Sequence, residues 1–385
     1  MNTKISTAQR EAITKSISNG DAHLLEQYLI EFKDDSYFNQ WDEALKIHSK
    51  ESAGSYEKAY TIIIYNHCFN NWGDYKKFKG ELTQENTSVS LFEQAADAVV
   101  SGDTETLTEL IQKHPDLIHA RSMRNHRATL LIYVGVNGVE DFRQKTPPNA
   151  VEMAELLLNA GAEVDAFGDM YRGTITLGLV ATSEHPVKAG LQRALIEVLL
   201  KYGADINHSV VPDYTEGLLI NNGRCEIVEY LAEKGAKLDL EGAAGTGILY
   251  EVKKYYNENG SLKDETNAPK RDYGFMWACV CGRKLIVEYM LYKGFDVSTL
   301  TDGMTALHLA VIGRQLEIVD ILLKYNAPLE IKNGYDGTVL GQALWSAYND
   351  PSPQDTEIVD RLIRAGAIVE PGWEKYIDEI NTREN

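Results

Sequence analysis

The sequence lacks the features that mark several common classes of protein. It has four cysteines in 385 residues, Cys68, Cys225, Cys279 and Cys281. These are too few and too scattered for a disulfide scaffold, and we expect thiols in a reducing compartment. No apolar stretch follows Met1 that would form the core of a signal peptide, and no apolar run approaches the roughly 20 residues that cross a bilayer. These absences predict a cytoplasmic protein that does not enter a membrane.

Positive charge is also scarce. The chain has 38 Lys and Arg against 57 Asp and Glu, a formal net charge of −19 with histidine neutral. Phosphate affinity needs a dense cationic face, so this charge disfavours nucleic acids and anionic membranes as partners. With 44% hydrophobic residues, the chain is long enough to bury a core and is expected to be globular.

Sequence motifs of catalysis, nucleotide binding and metal binding are absent. There is no Gly-x-Ser-x-Gly elbow, Walker loop or His-Glu-x-x-His. Cys279-Val280-Cys281 lacks two further zinc ligands nearby, which favours two small apolar residues on a helix. Gly242, Gly245 and Gly247 lack the preceding strand that would aim a phosphate-binding loop. We therefore expect a protein that is not an enzyme and holds no cofactor or metal.

One segment carries a distinctive pattern. Residues 302–310 read DGMTALHLA, and residues 316–323 read LEIVDILL before Asn326. This pattern closely resembles the ankyrin repeat, with its T-P-L-H-x-A signature and Ala306 in place of proline. The resemblance implies two short antiparallel helices and a hairpin-like loop, tied to the first helix by hydrogen bonds of Thr305 and His308. For His308, such a structural role outweighs a catalytic one.

The loop that closes this unit recurs along the chain. Glycine or asparagine follows an apolar helix at Gly161, Gly203, Gly235, Gly294, Asn326 and Gly366. Glycine suits this position because the chain leaving a helix commonly enters the left-handed region. The 59 residues from Gly235 to Gly294 amount to two repeats, since the family period is about 33 residues.

The predicted fold class is all-α, an ankyrin-repeat α-solenoid with an N-terminal helical extension. We assign residues 1–88 to the extension, which is either a degenerate repeat or an unrelated cap. Residues 89–370 form about eight repeats, and residues 371–385 a C-terminal capping helix. Insertions at 139–150, 183–190 and 347–354 are expected to enlarge helix-to-helix loops.

The resemblance also implies where a partner binds. In ankyrin stacks the concave face is built from the loop tips and from two positions near the end of each first helix. The register places Asn221, Asn222, Cys281, Ile312 and Trp345 on those helices, and Tyr171, Arg172, Tyr214, Tyr273, Asp302, Met304 and Tyr335 on the tips. Trp345 is a candidate anchor, unless the insertion at 347–354 covers it. The tyrosines form either a recognition ridge or packing between loops.

One loop tip departs from the overall charge. Residues 119–127 carry three arginines, two histidines and no acid. Because guanidinium groups suit carboxylates and phosphates, Arg124, His126 and Arg127 form a hypothetical anion-recognising spot with Arg172. The alternative is a solvated finger balanced by acids nearby.

These observations favour a non-enzymatic scaffold. A monomer would bind a protein with a basic patch through its acidic groove and tips, as an immunity-like, antitoxin-like or regulatory binder, in the manner of stand-alone bacterial ankyrin proteins. The alternative is a small-molecule or nucleotide-binding protein. A closed pocket lined by Arg124, Arg127 and Arg172 would favour the alternative, and an open groove the scaffold. An enzyme with its site in residues 1–88 is a remote third reading, since no catalytic motif supports it.

Overall fold

A computed structural model describes residues 5–33, 35–48, 54–136, 138–208 and 225–374. Tyr214, Asn221, Asn222 and all but the start of the expected capping helix lie outside these residues, as does the side chain of Arg172. The chain divides into two compact units, residues 1–212 and 213–385. The described residues are helical apart from turns, loops and isolated bridges, so this part of the chain is all-α, as predicted. None of their helices has the length and apolarity to span a bilayer.

The described helices of the first unit begin with five that belong to the extension. The twelve are α1 Thr7–Asn19, α2 Ala22–Glu31, α3 Asp42–His48, α4 Ser55–Asn66, α5 Trp72–Leu82, α6 Ser88–Ser101, α7 Thr104–Lys113, α8 Ile132–Gly135, α9 Ala150–Asn159, α10 Thr176–Thr182, α11 Glu184–Lys188 and α12 Gln192–Lys201. Short 3₁₀ segments lie at Ser36–Trp41, Pro115–His119, Asp141–Arg143 and Met170–Arg172.

The described helices of the second unit are mostly paired. They are α13 Cys225–Glu233, α14 Leu240–Thr246, α15 Leu249–Lys253, α16 Ala268–Val280, α17 Lys284–Tyr292, α18 Ala306–Ile312, α19 Leu316–Lys324, α20 Val339–Asn349 and α21 Pro353–Arg364, with a 3₁₀ segment at Glu265–Asn267. Helix α16 packs against α14 and α18, and α18 packs against α20. Stacking therefore buries the apolar stripe that no single pair covers alone.

The extension has a core of its own. Ile13, Leu25, Ile62, Ile63 and Phe78 are buried together in it. Helix α1 begins at a capping box of Ser6 and Gln9 and ends at Gly20, whose φ of 71° is left-handed. Asp21 then caps α2, so the Asn-Gly-Asp turn joins two helices as the sequence indicates. Helix α5 contacts α6, the helix with which the predicted repeats begin.

The repeat at residues 301–324 shows how the loop and helices are joined. Asp302 and Gly303 both have positive φ, and Thr301 and Met304 exchange two backbone hydrogen bonds of 3.0 Å, which makes a tight hairpin turn. The Thr305 hydroxyl lies 2.7 Å from His308 Nδ1, and His308 Nε2 lies 3.3 Å from the carbonyl of Gly337 in the next tip. His308 is thus buried between two repeats, in the structural role that the resemblance implies.

The predicted insertions differ in form. Residues 136–149 separate α8 from α9, and residues 183–191 hold the short helix α11, in which Pro186 is buried. Residues 347–354 do not form an enlarged loop. Helix α20 continues to Asn349 and α21 begins at Pro353, so longer helices absorb the extra residues.

Candidate functional site

Two of the five basic residues of the arginine-rich tip fold inward. The Arg124 side chain is 2% exposed, and His126 is also buried. Arg127 remains exposed, with a left-handed φ of 50°. This corrects the expectation that Arg124 and His126 present an anion-recognising surface. Their partners are acids inside the first unit, because a buried guanidinium needs a carboxylate to offset its desolvation.

Two arginines and two glutamates form a buried ionic network. Glu93 Oε2 accepts from Arg124 Nη2 at 2.8 Å and from Arg143 Nη1 at 2.6 Å. Glu140 contacts Arg124 Nε and accepts from the Tyr133 hydroxyl at 3.1 Å. Helix α6, the tip and the 136–149 insertion are therefore joined by charge-assisted bonds.

Glu140 keeps its charge in this network. Burial opposes ionisation of Glu140, yet Arg124, the His126 imidazole and Arg143 hold the pKa of Glu140 well below its usual range. His126 Nδ1 accepts from the backbone of Ala128 at 3.1 Å, and its Nε2 lies 3.6 Å from Glu140. Two guanidinium groups thus face two carboxylates in the interior of the first unit.

Sequence reasoning did not find Glu93, Glu140 or Arg143. A signal existed for Glu93, because Val89, Glu93, Ala96 and Val100 share one face of α6 and all four are buried. An acid within an apolar helical stripe indicates a buried cation. Nothing local in the sequence indicates which cation it is.

A cavity of about 480 Å³ adjoins this network in the first unit. Hydrogen bonds of the tip fix one wall of this cavity. Arg124 Nη1 donates to the carbonyl of His67 at 2.8 Å, and Asn125 N donates to the carbonyl of Cys68 at 2.9 Å. Its lining is Gln40, Trp41, Tyr65, Asn66, Cys68, Phe69, Asn70, Asn125, Gly138, Val139, Asp141, Gln144 and Tyr171. Of the tip residues selected from the sequence, Tyr171 lines it, whereas Arg124 is buried in the network.

Carboxamides and aromatic rings dominate this cavity. The amide NH₂ groups of Gln40, Asn66 and Gln144 donate to backbone carbonyls at 2.8–2.9 Å, which leaves their amide oxygens as acceptors. Asp141 is the one ionisable carboxyl among the described lining residues. Burial raises the pKa of the Cys68 thiol to about 12, so it is not a reactive thiolate at neutral pH.

In the second unit, three of the selected apolar and aromatic residues are exposed. Ile312 at the end of α18 is 40% exposed, Trp345 on α20 is 54% exposed and Tyr335 in the following tip is 90% exposed. Because α20 continues past Trp345 to Asn349, the predicted loop at 347–354 does not cover the indole. These side chains provide apolar contact area at the positions that the register assigns to the inner face.

The remaining selected residues of this unit have other surroundings. Tyr273 lies within helix α16 and not on a tip, which corrects the prediction. Its hydroxyl donates to Asp302 at 2.8 Å, so α16 is bonded to the tip of the next repeat. Met304 is half-buried. Cys281 is half-buried and disulfide-bonded, whereas Cys68 and Cys279 are free thiols. The expectation of a free thiol at Cys281 is therefore wrong.

The tip that carries Tyr335 is internally braced. Asn333 is buried, and its Oδ1 accepts from the backbone of Tyr335 at 2.9 Å and of Gly337 at 3.0 Å. Gly334 N donates to Gly303 O of the preceding tip at 2.9 Å. Successive tips are therefore held in register.

Carboxylates on the outer helices are paired across repeats. Glu317 contacts Lys284, and Asp320 lies 2.5 Å from Arg361. At the tips, Asp302 is bound by a neutral hydroxyl. Asp336 and Glu370 share Lys332, at 3.2 and 3.7 Å. The carboxylates of the tips thus keep negative charge, whereas these carboxylates of the outer helices are neutralised by cations of neighbouring repeats.

A cavity of about 650 Å³ lies at this end of the second unit. Its described lining is Asn333, Tyr335, Asp336, Gly337, Gly341, Gln342, Trp345, Glu370 and Trp373. It opens over the first turn of α20, where Gly341 has no side chain. A Cβ there would lie 3.8 Å from Trp373 Nε1 and 3.9 Å from Glu370 Oε2.

The sequence is similar to known proteins over part of its length. Residues 242–333 match the family described as ankyrin repeats (3 copies). Over 228 residues, 56% of this chain, the sequence is 28% identical to the ankyrin repeat and KH domain-containing protein mask-1 of Caenorhabditis elegans. The match spans 8% of that protein. The crystal structure of the human ASB11 ankyrin repeat domain matches at 18% identity with a TM-score of 0.32, over 73% of this chain and 99% of that one.

Proposed function

Because this chain contains ankyrin repeats, which generally act as modules of protein–protein interaction, we propose that it is a non-enzymatic scaffold for a partner with a basic patch. The contact surface comprises the inner ends of α18 and α20 and the tips that carry Asp302 and Tyr335. The exposure of Ile312, Tyr335 and Trp345 carries this proposal. Exposed aromatic side chains at such positions are typical anchors of protein interfaces.

Charge supports the choice of partner. The chain carries a net charge of −19, and Asp336 and Glu370 line the same cavity as Tyr335 and Trp345. A field of this sign speeds encounter with a basic protein and opposes self-association. We therefore propose a monomer that masks or regulates a basic partner, as an immunity-like or antitoxin-like binder would.

Affinity capture from the native cell tests this proposal. Tagged full-length protein is compared with Trp345→Ala, with Tyr335→Ala and with the matched control Tyr292→Ala, which removes a 79% exposed tyrosine at the end of α17. The captured proteins are identified, and the affinity of the main partner is measured with purified components. We expect a basic protein that the control retains and that Trp345→Ala binds at least 10-fold more weakly, as for an anchor worth about 1.4 kcal/mol or more.

The same capture is repeated with added salt. Because the interaction is partly electrostatic, raising NaCl from about 0.05 to 0.5 M shortens the screening length and is expected to slow association. An acidic partner, or equal loss of binding in Trp345→Ala and Tyr292→Ala, would contradict the proposal.

A second candidate function rests on the cavity of the first unit. We propose a small neutral ligand there, such as a sugar or a nucleoside, because its volume is typical of ligand pockets and its lining offers amide oxygens and aromatic faces. A nucleotide is not proposed, because Arg124 is occupied by Glu93 and Glu140 and the Asp141 carboxylate at the cavity would repel a phosphate.

Ligand-observed NMR on the full chain tests this second function with panels of neutral monosaccharides and nucleosides. We expect saturation transfer to one of these panels and none to inorganic phosphate. Asn125→Leu, which puts an apolar side chain at the wall, should abolish the signal, and the exposed neighbour Arg127→Ala should leave it unchanged. Phosphate binding that Arg127→Ala removes would instead favour an anion site.

A further inference from the structure

We propose that the cavity beside α20 receives a cationic side chain, lysine or arginine, from the protein partner. This inference rests on the proposed scaffold function and names the chemical group that the partner inserts. It concerns the cavity lined by Trp345, Trp373, Tyr335, Asp336 and Glu370, called the tryptophan cavity below.

The aromatic lining is the first argument. Two indoles and a phenol share the lining of the tryptophan cavity. Trp345 and Tyr335 are open to solvent, while Trp373 packs partly against the repeat core. The electron-rich faces of indole and phenol rings attract cations, and indole does so most strongly. A long basic side chain also places its aliphatic stem on such rings.

The charge of the lining selects a cation over a neutral group. Asp336 and Glu370 line the cavity, and no lysine or arginine is among its described lining residues. Lys332 lies outside it and contacts both carboxylates, at 3.2 Å for Asp336 and 3.7 Å for Glu370. The single charge of Lys332 therefore neutralises only one of the two carboxylates, and a bound cation would neutralise the other.

Gly341 and Asn333 shape the tryptophan cavity. Gly341 lies in the first turn of α20 without a left-handed φ, and a Cβ there meets its nearest atom, Thr338 Oγ1, at 3.4 Å. An alanine fits at this position, whereas a leucine would extend into the space between Trp373 and Glu370. Asn333 holds the tip through its bonds to Tyr335 and Gly337, so the wall exists before a guest arrives.

NMR titration of the full chain with capped tripeptides tests the inference. The probes are acetyl-Gly-Arg-Gly-amide and acetyl-Gly-Lys-Gly-amide, with the Gln and Glu tripeptides as controls. We expect the cationic probes to shift the indole N–H signals of Trp345 and Trp373 in a saturable way, and the Gln and Glu probes not to. Shifts of equal size with the Gln probe would overturn the inference.

Three variants and a control locate the binding. Gly341→Leu should abolish the response, and Trp345→Ala should weaken binding about 3-fold or more, as for loss of a cation–π contact. Lys332→Gln should strengthen it, because both carboxylates then face the guest. Tyr292→Ala should leave it unchanged. Gly341→Ala checks that substitution at this position preserves the helix, and its circular dichroism should match that of the parent. Binding that survives Gly341→Leu in a folded protein would also overturn the inference.

Failure of this inference differs from failure of the scaffold function. If the tripeptides do not bind but Trp345→Ala still releases the protein partner, the scaffold stands and the tryptophan cavity does not take a cation. If the cationic tripeptides bind and Gly341→Leu blocks them, while no basic partner depends on Trp345, the cavity assignment stands and the scaffold function fails.

Discussion

Arg124 and Arg127 are three positions apart, yet one is buried in an ionic network and the other is exposed to solvent. Replacing Arg124 by alanine leaves Glu93 and Glu140 buried with less positive charge. We therefore expect Arg124→Ala to lower the free energy of unfolding of the first unit by about 3–5 kcal/mol. Arg127→Ala should change it by less than about 0.5 kcal/mol. Urea denaturation followed by circular dichroism measures the free energy of unfolding of both variants. Equal changes in the two variants would show that the network does not stabilise the fold.

His67 links the extension to the same network. Its Nε2 lies 3.0 Å from the carbonyl of Ile17, and its Nδ1 lies 3.3 Å from Arg124 Nη1. Burial, together with the charge of Arg124, lowers the pKa of His67 from 6.5 to about 4. The folded protein therefore favours neutral imidazole more than the unfolded chain does.

This shift predicts a pH dependence of stability. A depressed histidine pKa contributes stability that is fully present above pH 6.5 and is lost as the pH falls towards 4. Linkage sets the loss at up to about 3 kcal/mol. In His67→Gln, the free energy of unfolding should fall less steeply between pH 6.5 and 4 than in the parent. Parallel curves for the two proteins would contradict the assignment.

The site residues show how far single positions can be read from the sequence. Ile312, Tyr335 and Trp345 are exposed because the repeat register, a local property, fixes which side of a helix or tip they occupy. Arg124 was misjudged because its partner Glu93 lies 31 residues away, and pairing at that distance leaves no local pattern. The role of the exposed residues in binding stays a prediction.

At the scale of elements, the end of α19 departs from the other repeats. Asn326 has a φ of 58°, where the equivalent Gly161, Gly294 and Gly366 have φ of 99°, 88° and 95°. A side chain in the left-handed region costs energy that glycine avoids. We expect Asn326→Gly to raise the free energy of unfolding of the second unit by about 0.5–1 kcal/mol, and Asn326→Ala to lower it by about 1 kcal/mol. Urea unfolding measures the free energies of unfolding of the parent and the two variants. An Asn326→Ala variant that is more stable than the parent would contradict the prediction.

The helix pairs themselves were predictable, because apolar periodicity and a closing glycine are written within each repeat. The segment 347–354 was not. Pro351 and Pro353 indicate a loop, but proline is equally suited to the first turn of a helix, where its missing N–H has no partner to lose. Ser352 and Asp355 complete a capping box around Pro353, so α21 begins there and the expected loop does not form.

For the whole molecule, charge and repeat architecture act together. The net charge of −19 would strain a compact globule by self-repulsion. In the second unit, the pairs of Lys284 with Glu317 and of Arg361 with Asp320 join neighbouring outer helices. Each exposed pair contributes little alone. Their common effect is to cancel charge along the outer side and leave the excess at the tips.

The same architecture predicts how damage spreads. Each repeat of a stack contacts only its neighbours, so stability is close to a sum of local terms. Arg124→Ala should therefore speed amide hydrogen exchange in α6 to α9 by at least 10-fold. A 10-fold change corresponds to only part of the about 3–5 kcal/mol expected when a buried ion pair is broken. Exchange in α18 to α21 should change less than about 2-fold if repeats couple only to their neighbours.

A matched core variant gives the opposite pattern. Leu322 is fully buried in α19, and Leu322→Ala should cost about 2–5 kcal/mol. Its exchange should rise in α18 to α21 and not in α6 to α9. Mass spectrometry of both variants at pH 7 measures the two regions in one experiment. Equal acceleration in both regions would mean that the two units unfold together. Purely local contributions to stability would confine the effect of each substitution to its own unit.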